Sequence, residues 1–177
     1  ILWQPPTVGD AEHVGAALRA GGARPWQVEL VLPVLVDALA WAADTSPTVS
    51  LVFAGDTTLD SSPGEWIQAG HDPFQSFQSL FAQADVRLLN LECVVATTGK
   101  SLPKNYTFRA HPRVLQTLQR HVDGVTLANN HSGDYGREAF AEMLHLLAAQ
   151  RLAYVGGGKN LREAHEPWII ERQGLRI

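Results

Sequence analysis

The sequence predicts an α/β domain built on a largely parallel sheet. Three observations carry that expectation. From Thr48 onward, apolar runs of strand length alternate with segments whose apolar residues recur at helical spacing. Three of the four runs end in a compact polar group, at the edge where open α/β sheets hold ligands. The 177 residues are 45% apolar and 18% charged, the balance of a globular chain long enough to bury a core.

The elements follow in order. Residues 49–54 are almost wholly apolar, as a strand covered on both faces requires, and end in Gly55-Asp56. Asp72-Pro73 pairs a capping carboxylate with a first-turn proline, and Phe74, Phe77, Leu80 and Phe81 then form a helical stripe. Residues 87–92 form the second strand and finish Asn90-Leu91-Glu92. Pro112 opens a helix carrying Val114, Leu115 and Leu118 on one face. Residues 124–128 are the third strand and run into Asn129-Asn130-His131. A long helix with Phe140, Met143, Leu144 and Leu147 follows. Residues 152–155 form the fourth strand, Asn160 caps a short helix, and 168–172 with 175–177 form a hairpin around Gln173-Gly174. Right-handed crossovers put the carboxyl ends of all parallel strands on one edge.

Residues 1–47 differ in texture and are expected to be a helical segment separate from the domain at 48–177. Asp10 caps a helix to about residue 20, and Pro25 opens a second one to residue 43, kinked at Pro33. The apolar run at 28–43 is interrupted by Glu29, Pro33 and Asp37, which fits a packed amphipathic helix better than a membrane span. The chain starts Ile1-Leu2-Trp3, with no initiator Met, signal or anchor pattern, and stops in a hairpin arm; it is expected to be a piece of something longer.

Charge and cysteine count restrict function. Fourteen basic against eighteen acidic residues leave a net charge of −4, which argues against nucleic acid as a partner. The single Cys93 excludes an internal disulfide and multi-cysteine metal sites, so any metal must take oxygen and imidazole ligands. Gly55-Asp56, Asn90-Leu91-Glu92 and Asn129-Asn130-His131 share one sheet edge, and the two carboxylates, a carboxamide and an imidazole found there together suit a divalent cation such as Mn²⁺, Mg²⁺, Fe²⁺ or Zn²⁺. Alone, each has a plainer role: Asp56 is a turn residue and His131 a turn histidine. Asp134 can cap the long helix from Tyr135 and can equally orient His131, and the two roles are compatible. Gly156-Gly157-Gly158-Lys159 has the glycines of a phosphate-cradling loop but not the spacing of a nucleotide P-loop, and reads equally as a strand–helix connection. Cys93 is expected to be a packed thiol.

Four stretches then carry a likeness: Val52-Phe53-Ala54-Gly55-Asp56-Thr57-Thr58-Leu59; Asn90-Leu91-Glu92; Leu127-Ala128-Asn129-Asn130-His131-Ser132-Gly133-Asp134-Tyr135-Gly136; and Gly156-Gly157-Gly158-Lys159-Asn160-Leu161-Arg162-Glu163-Ala164. In this order they resemble the capsule-synthesis CapA (poly-γ-glutamate biosynthesis) family, similar in fold to calcineurin-like metallophosphoesterases. Lys104-Asn105-Tyr106-Thr107-Phe108-Arg109-Ala110-His111-Pro112 resembles the stretch before that family's third core strand. The likeness implies a metallophosphoesterase-like α/β/β/α sandwich, of which this chain holds the first half. It implies Asp56, Glu92 and Asn130 as ligands of a divalent metal and His131 as general acid or phosphate binder, beside Asp134. Lys104, Tyr106 and Asn129 would meet substrate. It implies an anionic polymer or a phosphoester as substrate, other envelope-polymer synthesis proteins as partners, and the bacterial cell envelope as location.

Departures from the pattern are informative. Thr58 stands where phosphoesterases carry a histidine, Asp60-Ser61 stand where the family often has Gly-Arg, and no later histidine motif follows His131. A metal-dependent hydrolase and a non-catalytic scaffold that keeps the fold are therefore both open, with a nucleotide-binding domain dependent on Lys159 third. An incomplete sandwich would leave an apolar sheet face exposed and invite self-association.

Overall fold

The computed structural model describes residues 28–30 and 47–177. Its sheet is five-stranded, all parallel, in the order β1-β2-β3-β6-β7. The strands are β1 (Val28–Leu30), β2 (Val49–Thr57), β3 (Val86–Leu91), β6 (Gly124–Thr126) and β7 (Ala153–Val155). Two-residue strands β4 (Val94–Val95) and β5 (Arg109–Ala110) pair beside it, and β8 (Glu171–Arg172) with β9 (Leu175–Arg176) forms the expected hairpin. Its turn residues Gln173 and Gly174 both have positive φ, the geometry of a tight two-residue hairpin turn.

The strand order advances in one direction only. With right-handed crossovers this puts the connecting helices on a single face. Helices α1 (Ser61–Gln68), α2 (Gln78–Ala82), α3 (Val114–His121) and α4 (Gly136–Ala149) supply Ile67, Phe81, Leu115, Leu118, Met143 and Leu147 to one core with Val52, Leu89 and Val125. On the other face, Val49, Leu51 and Val86 are covered by Trp168, Ile170 and Leu175 from the hairpin region. Gly124 makes that cover close: a Cβ there would lie 2.9 Å from the Trp168 ring. Phe53, on the same face, is 47% exposed. The α/β class and the parallel sheet are as expected. The second sheet of a sandwich is not formed among the described residues, where β8–β9 is the antiparallel element.

Most of the expected helices before Thr48 lie outside the described residues. Where the expected helix at 25–43 is described, at Val28–Leu30, it is instead an edge strand pairing with Val49–Leu51. Val28-Glu29-Leu30-Val31-Leu32 is a short run rich in branched residues, and such runs fit strand or helix by pattern alone. The helix expected after Asp72 is shorter than its aromatic stripe suggested. Asp72 accepts the Phe74 N–H at 3.0 Å, but a 3₁₀ turn at Gln75–Phe77 precedes a five-residue α2. Helix α1 has no counterpart in the sequence reading: Asp60 caps it by accepting from Ser61 N at 2.7 Å. Asn160 caps α5 (Leu161–Ala164), as expected, by accepting from Glu163 N at 3.0 Å.

One carboxylate fastens α4 to the loop after β4. Glu142 accepts from the backbone N–H and the hydroxyl of both Thr97 and Thr98 at 2.6–3.0 Å. Burial pulls its pKa upward, but the threonine bonds outweigh that and hold it at about 2, below its ordinary 4.5. A depressed folded pKa means stability present above the unfolded value and lost as pH falls through the folded one. Urea unfolding should therefore show wild type more stable than Glu142→Gln by about 1 kcal/mol at pH 7, the clamp being partly solvated. That gap should close between pH 4.5 and 2; a pH-independent gap would contradict this assignment.

Candidate functional site at the carboxyl edge of the sheet

The site begins with a break in the β2–β3 ladder. Ala54 pairs with Leu89 but Asp56 pairs with Asn90, so Gly55 is an extra residue, a β-bulge. Without it, strict alternation would turn Asp56 to the helix face. The bulge places Asp56 with Asn90 on the hairpin face.

Asn90 joins the strand ends. Its Nδ2 donates to Asp56 Oδ1 at 2.8 Å and also to Glu92 Oε2. Its Oδ1 accepts from Thr126 Oγ1 at 2.9 Å and from Asn129 Nδ2 at 3.0 Å. Glu92 is buried and Asp56 is exposed. Two carboxylates thus converge on one amide nitrogen, and among the described residues neither forms an ion pair with a basic side chain.

Asn129 builds the turn that follows β6. Its Nδ2 also donates to Leu91 O at 2.9 Å, and its Oδ1 accepts from His131 N and Ser132 N, each at 2.9 Å. Both ends of this carboxamide are therefore engaged by the protein, so its expected contact with substrate competes with the turn. Ser132 Oγ closes the turn on Leu127 O at 2.7 Å.

His131 is held from two sides. Its Nδ1 lies 2.7 Å from Asp134 Oδ2, and its ring packs on Phe108 with centroids 4.4 Å apart. A carboxylate facing Nδ1 selects the Nδ1–H tautomer and leaves the Nε2 lone pair on the far side of the ring. The Asp134 side chain has no exposed surface. Its Oδ2 also accepts from Phe108 N at 2.7 Å, and its Oδ1 pairs with the Lys104 ammonium. Burial would raise the Asp134 pKa; its bonds from Lys104, His131 and Phe108 N–H outweigh that and hold it below the usual value. Of the two roles open to Asp134, orienting His131 is the one the structure shows. It does not cap α4, whose N-cap is Tyr135 with no side-chain cap bond, because both its oxygens are taken by these partners.

The remaining expected residues separate. Asn130 is exposed and borders a groove of about 990 Å³ with Leu102, Arg137 and Phe140. No hydrogen bond links its side chain to the carboxylates among the described residues. Tyr106 is 72% exposed. Cys93 is fully buried and its thiol is pushed up to about 12 by burial, as a packed cysteine should be. The glycine loop is explained by packing. A Cβ on Gly157 would press on Leu127 and Phe140, one on Gly158 would press on Glu163 and Ala164, and the Lys159 N–H is taken by the Glu163 carboxylate at 3.0 Å. Asn90 as the shared partner of both acids escaped the residue-by-residue reading. Its signal was positional, since Asn90 and Glu92 are two apart on a strand and so share a face.

The donors match a hard cation in kind, being carboxylate oxygens. The set is small: no cluster of three or more His, Cys, Asp or Glu side chains able to hold a metal occurs among the described residues. Carboxamide oxygens would have to complete it.

Comparison with known proteins agrees with the motifs. The family model described as bacterial capsule synthesis protein PGA_cap matches residues 50–177. A second model, for a 3′ to 5′ exonuclease C-terminal domain, matches residues 1–39, less than a quarter of the chain and almost wholly outside the described residues. No curated protein sequence matches the chain.

Proposed function

The chain belongs to the family of bacterial capsule synthesis proteins, and on that premise we propose that its sheet edge handles an anionic envelope polymer or its phosphoester through a divalent cation. The observation that carries the reading is the meeting of Asp56 and Glu92 on Asn90 without a basic partner among the described residues, with Asn90 joined through Asn129 to the backbone of a histidine held by a buried carboxylate. Asp56, Glu92 and the Asn130 carboxamide would hold the ion. When bound, it supplies positive charge that polarises a phosphoryl or carboxylate oxygen. With Nδ1–H held by Asp134, Nε2 would first take up a proton to give the imidazolium, which the Asp134 carboxylate stabilises, and His131 would then deliver that Nε2 proton to a leaving oxygen and return to the Nδ1–H form. Poly-γ-glutamate is the polymer the family likeness suggests, and its carboxylates would meet the same ion.

The resemblance also supports a metallophosphoesterase-like sandwich in which the parallel sheet is one layer and β8–β9 lies on the face of the other. Capsule synthesis suggests the cell envelope, and we place the chain at its outer side with other polymer-synthesis proteins. No helix among the described residues is long and apolar enough to cross a membrane.

The test is hydrolysis of an aryl phosphate, and binding of poly-γ-glutamate, with and without Mn²⁺. Hydrolysis should require Mn²⁺ and fall about 100-fold or more in His131→Ala, as loss of a general acid does. If the site only binds polymer, binding should require Mn²⁺ and vanish in Asp56→Asn. Neither activity responding to Mn²⁺ would overturn the reading.

A further inference from the structure

We propose that Lys104 is a positioning residue of the carboxyl edge, rather than a lysine that meets substrate. The metal readout below rests on the cation site proposed above, whereas the geometry stands on hydrogen bonds alone. The Lys104 ammonium pairs with Oδ1 of the fully buried Asp134 and donates to the carbonyl of Asn130 at 2.7 Å. Its side chain is only one-third exposed, at 33%. A lysine free to serve a polymer would carry an unengaged ammonium, whereas this one is already turned onto two protein acceptors.

The bond to Asn130 matters most. The segment before β5 is tied to the turn after β6 at three places. Leu102 N donates to Asp134 O at 2.8 Å, Phe108 N donates to Asp134 Oδ2 at 2.7 Å, and Lys104 reaches both Asp134 and Asn130. The first two hold Asp134 alone. The Asn130–His131 peptide is held at both ends: Asn129 Oδ1 takes its N–H, and the Lys104 ammonium is the donor to its carbonyl among the described residues. Lys104 thereby sets where the Asn130 carboxamide stands relative to Asp56 and Glu92.

This role and a simple electrostatic role predict opposite signs. Removing a positive charge beside a cation site should tighten cation binding by Coulomb's law. Removing an outer support of a ligand should weaken it, typically by about 10–100-fold. The experiment is Mn²⁺ titration calorimetry on wild type and Lys104→Met at pH 7.5, with amide hydrogen exchange at His131 and Ser132 measured without metal. The expected result is at least tenfold weaker Mn²⁺ binding together with faster exchange at both amides. Unchanged or tighter Mn²⁺ binding with unchanged exchange overturns the proposal, as does loss of poly-γ-glutamate binding alone. If wild type binds no Mn²⁺, the cation reading fails separately, and exchange alone then decides: faster exchange upholds the positioning role and unchanged exchange ends it. Should Lys104→Met not fold, Lys104→Gln, which keeps part of the stem and a donor, is read in the same two ways.

Discussion

Replacing Asp134 by alanine should cost the fold about 3–5 kcal/mol, the usual consequence of stripping one partner from a buried ion pair. Three groups lose their acceptor at once: the Lys104 ammonium, the His131 imidazole and the Phe108 N–H. Urea unfolding of wild type and Asp134→Ala checks this, and a loss under about 1 kcal/mol, the value of an exposed pair, would contradict it. The pH dependence has a fixed sign. Because the folded pKa is lowered, the contribution of Asp134 is complete above its ordinary 3.8 and disappears as pH falls below that value. Acid should therefore weaken wild type more than Asp134→Ala.

Asn90→Asp is the second substitution with a large expected effect. It changes one amide to a carboxylate without changing shape. The donor to Asp56 and Glu92 disappears, and three acids then crowd one spot while Thr126 and Asn129 keep their acceptor. Without metal, the loss should be on the order of 3 kcal/mol. Millimolar Mn²⁺ should restore much of it, since a ligand that binds only the folded state stabilises by mass action. Thermal melts with Mn²⁺ and with a chelator measure both halves. A variant as stable as wild type in chelator would show that the two acids do not converge on residue 90.

The sheet was legible because its strands are apolar runs with little competing signal. Residues 49–54 and 87–92 were placed to within a few residues of β2 and β3, and the stripe of Met143, Leu144 and Leu147 marked α4. Helix α1 was not, because Ser61, Ser62, Pro63 and Gly64 are poor helix formers and its one signal, the capping Asp60, stood among residues read for a motif. At Val28–Leu30 a short branched run admitted both periods, and pairing with β2 decided for strand. The site divides in the same way. Sheet topology put Asp56, Glu92 and His131 on one edge, which spacing alone can foresee. The one-residue bulge at Gly55, the bond from Asn90 to Asp56 and the reach of Lys104 to Asn130 join residues 26–35 apart, and nothing local encodes them, whereas the other arm of the Asn90 amide reaches Glu92 only two residues on.

The most direct measurement is Mn²⁺ binding by calorimetry on the metal-stripped chain, beside Asp56→Asn and Glu92→Gln. One ion per chain should bind to wild type, and each substitution, by removing a charged oxygen donor, should weaken it about 100-fold or more. Mn²⁺ binding of equal strength in all three proteins, or in none, would contradict a cation held between these two carboxylates.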